Sequence, residues 1–117
     1  MYNAFMDDFY CEKVLHGKVV VNKVFETDRV LALHHTKPHW PVHIVVTPKA
    51  HIPDILSPDC DDQLLGELFS VIRRIASDVT AKHGSCRILT NLGCYQDSKH
   101  LHFHLSFGEP NHLQAVV

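Results

Sequence analysis

Eleven of the 117 residues are histidines, and three of them alternate with apolar residues in His100-Leu101-His102-Phe103-His104. Histidine changes charge near neutral pH, and its imidazole can attack phosphorus, move a proton or bind a metal such as zinc. On a β-strand alternate side chains share a face, so the three imidazoles are expected in a row about 6.6 Å apart. Leu101, Phe103 and Leu105 would then enter a core. The imidazole face is expected to look into a polar cleft, because burying unpaired polar rings is costly. Chance alone produces this alternation roughly 0.1 times in a chain of this composition, so spacing by itself is suggestive only. His35, His43 and His51, grouped around the apolar run Val42–Val46, strengthen it by suggesting a shared cleft.

Elements that could position these residues follow from patterning. Val19 to Phe25 and Val30 to Leu33 read as strands joined by the polar turn Glu26-Thr27-Asp28-Arg29. Thr36 to Pro41 contains two prolines, which deny it ladder hydrogen bonds, and reads as a loop. Val42 to Val46 is a third strand, closed by Pro48. Ser57-Pro58 signals a helix start. Leu64, Leu65, Leu68, Val71, Ile72, Ile75, Ala76 and Val79 then recur at helical spacing up to Gly84, a helix terminator. Arg87–Asn91 and His100–Phe107 supply the last strands. Strands, one long amphipathic helix and more strands predict an α+β domain with an antiparallel sheet of about five strands. One domain is expected over 1–117, with 1–7 a loose lead-in and 108–117 a tail.

Composition removes other classes. Hydrophobic residues at 45% and charged residues at 21% describe an ordinary globular chain, and the formal charge of −2 gives no basic surplus for nucleic acid. No apolar run reaches membrane-span length. The first residues lack the basic and apolar regions of a secretory signal, and the four cysteines form no CxxC pair. A cytoplasmic location is the expectation. Cys60, Cys86 and Cys94 read as small apolar or exposed thiols, and His16, His34, His39, His83 and His112 as solvated or local.

Residues 8–107 resemble the histidine-triad (HIT) superfamily of nucleotide hydrolases and transferases. His100-Leu101-His102-Phe103-His104-Leu105 fits its alternating His-apolar signature. Val42-His43-Ile44-Val45-Val46-Thr47-Pro48-Lys49-Ala50-His51-Ile52 is similar to its His-x-hydrophobic-Pro-Lys-x-His segment, and Val24 to Ala32 to its first hairpin. Gln96 stands four residues before the first triad histidine, as the family's phosphate-loop glutamine does.

The resemblance implies hydrolysis of nucleoside 5′-phosphate derivatives (phosphoramidates, dinucleoside polyphosphates or similar) through a nucleotidyl-histidine intermediate. It makes His102 the nucleophile, its other ring nitrogen held by a backbone carbonyl. His100 and His104 flank it to stabilise charge or pass a proton, and His43 orients the phosphate site. Asn91, Gln96 and Ser98 are candidate phosphate or leaving-group contacts. The implied partners are a small-molecule purine nucleotide or nucleotide conjugate and a second copy of the chain, with no nucleic acid and no membrane.

Three departures from the family pattern stand out. Asp97 interrupts the usual Gly-Gln-Ser loop, and His35 replaces the acidic residue that grips the ribose hydroxyls. Some members hold zinc through a CxxC pair and two histidines. Here the matching residues are Asp8, Cys11, His51 and His100, and no cofactor or stable metal site is expected. Two other readings remain: a zinc-dependent hydrolase without a covalent histidine, and a non-catalytic nucleotide-binding protein.

Overall fold

In the computed structural model, which describes residues 22–111, the apolar alternation builds five strands. They are β1 (Lys23–Glu26), β2 (Val30–His34), β3 (Val42–Pro48), β4 (Arg87–Thr90) and β5 (Phe103–Phe107), with one helix, α1 (Asp62–His83), between β3 and β4. The sheet order is β1-β2-β3-β5-β4, and every neighbouring pair is antiparallel. This is the α+β architecture expected. No helix among the described residues is long and apolar enough to cross a membrane.

Register decides which face meets the helix. Ile44 pairs with Leu105 and Val46 with Phe103, while Ala32 pairs with Val46. These residues and Val30 pack against Leu64, Leu68, Val71, Ile72, Ile75 and Val79 of α1. Burying each of the larger of these side chains contributes about 1.5–3 kcal/mol. Pairing of Val45 with His104 and His43 with Ser106 puts both imidazoles on the opposite face.

The helix begins four residues later than Ser57-Pro58 suggests. Asp61 is its cap, the side chain accepting the Leu64 N–H at 2.8 Å. Ser57 instead belongs to a separate turn, where its N–H donates to the Asp54 carbonyl and its own carbonyl accepts from Cys60. At the other end Gly84 stops the helix as expected, in the left-handed conformation with φ 99°. Glu67 ties the helix to the β1–β2 turn, accepting from the Thr27 hydroxyl at 2.6 Å and the Arg29 N–H at 3.0 Å. The expected extension of the first strand back to Val19 lies outside the described residues, as do the lead-in at 1–7 and most of the tail.

Candidate active site

The last strand starts at Phe103 rather than His100. Leu101 takes its N–H out of the ladder to the Ile52 carbonyl, and its own carbonyl accepts the Thr47 hydroxyl at 2.7 Å. The even row of three imidazoles is thereby broken. His102 and His104 remain adjacent, ring centroids 4.8 Å apart and edge to face. The His100 ring is fully buried and donates from Nε2 to the Pro48 carbonyl at 2.7 Å. Beside it stands His51, with ring centroids 5.6 Å apart. His51 thus keeps company with His100, while His35 joins the group around His43.

Hydrogen bonds dictate the tautomers. Nδ1 of His102 lies 2.7 Å from the His100 carbonyl and must carry a proton. Nε2 is then the nitrogen with the lone pair. On β3 the His39 backbone N–H donates to Nδ1 of His43 at 3.0 Å, which places the His43 proton on Nε2. That proton points at Nδ1 of His104, 2.8 Å away. His104 is therefore an Nε2–H donor. His35 accepts the Lys37 N–H on Nδ1 at 2.9 Å and stacks on His43 at 4.2 Å.

His43, His102 and His104 are buried rather than lining an open cleft. At least one ring nitrogen of each is bonded to a backbone group or to another imidazole. Burial, with neighbouring imidazoles, pushes His43 and His104 down to about 3. His102 and His35 are lowered for the same first reason, although the Asp97 carboxylate opposes the shift in both. The rings are neutral at physiological pH, as nucleophilic and hydrogen-bonding chemistry requires.

The other candidate contacts are placed unevenly. Asn91 directly follows β4 and is half-buried. Gln96 is buried and braces its loop: its amide donates to the Pro53 carbonyl at 2.8 Å and the Ser98 carbonyl at 3.3 Å, and its oxygen accepts from Lys99 at 2.9 Å. Ser98 is buried beside it. Two residues take larger parts than their sequence suggested. His39 sets the His43 tautomer through its backbone, and Trp40 stands edge-on to the His43 ring at 4.9 Å. Burial pushes the Cys60 and Cys86 thiols up, away from thiolate chemistry.

One group of possible metal ligands occurs among the described residues: His35, His43 and His104, with one ring nitrogen of each within 4.8 Å of the others. The hydrogen bonds oppose its use. Nδ1 of both His35 and His43 already accepts a backbone N–H, which leaves the ring proton on the nitrogen a metal would need. Of the zinc set implied by resemblance, His51 and His100 are neighbours. Asp8 and Cys11 lie outside the described residues.

Comparisons with known proteins place the chain in a family and match its fold. A profile of the HIT domain matches residues 17–110. The chain belongs to the HIT domain family. Among HIT relatives, an uncharacterized HIT-like protein of Helicobacter pylori strain 26695 is 30% identical over 102 residues, covering 84% of this chain and 94% of its own. A HIT family hydrolase from Clostridium thermocellum superposes with a TM-score of 0.73 at 28% identity, over 85% of this chain and 88% of that one. A hypothetical histidine triad nucleotide-binding protein from Sulfolobus tokodaii gives a TM-score of 0.76 at 26% identity, over 86% and 68% of the two chains.

Proposed function

We propose that this HIT protein hydrolyses nucleoside 5′-phosphate derivatives through a nucleotidyl-histidine formed on Nε2 of His102. One observation carries the reading: the His100 carbonyl holds the Nδ1 proton of His102, so the lone pair lies on the outer nitrogen. A neutral imidazole attacks phosphorus, forming a P–N bond while the bond to the leaving group breaks. Water then attacks the same phosphorus, breaks the P–N bond and returns His102 to its starting form. His104 presents an Nε2–H to the developing charge or to the leaving group. His100 acts through its carbonyl, since its ring is buried and bonded to Pro48. Support for hydrolysis and for a nucleotide comes from the relatives described as a hydrolase and as a nucleotide-binding protein.

A panel of adenosine phosphoramidates, dinucleoside polyphosphates and nucleotidyl sulfates tests this with the wild type and His102→Ala. The expected result is turnover of at least one class, abolished in the variant while product nucleotide still binds. Binding without turnover across the panel would replace the hydrolase with a nucleotide-binding protein.

The active form is proposed to be a homodimer. Ile88, on the edge strand β4, is 48% exposed and lines a groove of mixed polarity with Arg73, Ala76, Ser77, Thr80 and Ala81 of α1. A second copy presenting the same helix and edge strand would cover both, the closed arrangement most oligomers adopt. Light scattering is expected to give twice the chain mass, and a concentration-independent monomer would contradict it.

A further inference from the structure

The segment after β5 returns to the histidine loop. Gly108 turns with φ 100°, and a Cβ there would sit 2.8 Å from Pro41. Arg87 fastens this turn, donating from Nη2 to the Gly108 carbonyl at 2.6 Å. Asn111 then lies along the loop that carries His39. Its backbone N–H donates to the His39 carbonyl at 2.7 Å, and its side-chain Nδ2 donates to the Pro38 carbonyl at 3.2 Å. The Pro38 carbonyl and the His39 N–H belong to one planar peptide unit. Asn111 holds that unit by its oxygen, and His43 holds it by its hydrogen.

We infer that Asn111 is a positioning residue that sets the tautomers of His43 and His104 through the Pro38–His39 peptide. The inference rests on the reading of this histidine cluster as the catalytic site. Were the peptide to turn over, its carbonyl would face Nδ1 of His43, which would then have to carry the proton. Nε2 of His43 would become an acceptor, and Nδ1 of His104 would have to become the donor across the 2.8 Å bond. His104 would then present a lone pair where a developing negative charge needs a proton. One peptide orientation therefore decides whether His104 is a donor, and Asn111 favours the productive one. Prolines at 38 and 41 leave the loop few N–H groups of its own with which to hold this orientation.

Asn111 is exposed, so its bonds compete with water and a moderate effect is expected. Long-range 1H–15N spectra of the full chain, labelled on its histidine rings, report each tautomer directly. In the wild type, His43 and His104 are expected as Nε2–H forms. Asn111→Ala, and the isosteric Asn111→Asp should the first disturb folding, are expected to shift both toward the Nδ1–H form. Turnover should fall about three- to tenfold in kcat with KM nearly unchanged. Asn111→Gln, which keeps the amide, is expected to recover part of both effects. Tautomers identical to wild type in Ala and Asp variants would overturn the inference. If tautomers move but the wild type turns over nothing, the positioning role stands and the proposed reaction fails.

Discussion

His43 and His104, 61 residues apart in sequence, meet ring to ring with Nε2 of the first 2.8 Å from Nδ1 of the second. The bond joins two strands on the face away from the helix. It turns two buried imidazoles into one directed chain, from the His39 N–H through His43 to Nε2–H of His104. Removing the middle member leaves Nδ1 of His104 buried without this donor. His43→Ala is expected to lower kcat by about 10²-fold, the lower range for a proton-transfer group, with a smaller change in KM. Steady-state kinetics check it.

Stability should respond to acid in a definite direction. The folded state holds His43 and His104 near 3, below the ordinary histidine value of about 6.5. Between these values the unfolded chain binds more protons, so unfolding becomes easier as pH falls through 6.5. The slope is at most about 1.4 kcal/mol per pH unit for each imidazole and vanishes above about pH 7. Urea midpoints measured from pH 7.5 to 4.5 are expected to decline, and to decline less in His43→Gln.

Asp97 bears on His102 by charge. Its carboxylate opposes the lowering that burial imposes on the ring. Asp97→Asn is therefore expected to lower the His102 titration further and move the acid limb of kcat/KM to lower pH. Because Asp97 is exposed, the shift should shrink with added salt. A pH–rate profile at two ionic strengths measures both effects.

The helix cap offers a prediction independent of chemistry. Asp61→Ala removes the acceptor for the Leu64 N–H, and is expected to cost about 1 kcal/mol. Leu68→Ala, at a fully buried position, is expected to cost about 2–5 kcal/mol. Chemical denaturation distinguishes them, and a Ser57→Ala control should change little.

The helical stripe from Leu64 to Val79 and its stop at Gly84 were legible because both depend on local spacing and backbone preference. Ser57-Pro58 misled because the same residues also suit a turn, and the capping bond was won by Asp61. His102 and His104 were legible as neighbours on one face. His100 was not placed correctly, because Leu101 bonds to Ile52 across a loop, and no local pattern records that contact. His39 and Asn111 were illegible for the same reason: their roles lie in backbone groups and in a meeting of two loops.

Hydrolysis through His102 requires a covalent bond between its Nε2 and phosphorus. Rapid-quench mass spectrometry of the wild type with a turned-over substrate, followed by peptide mapping, tests it most directly. A transient mass increase of one nucleotidyl group is expected, mapped to His102 and missing in His102→Ala. Turnover without any adduct, or an adduct on another histidine, would contradict it.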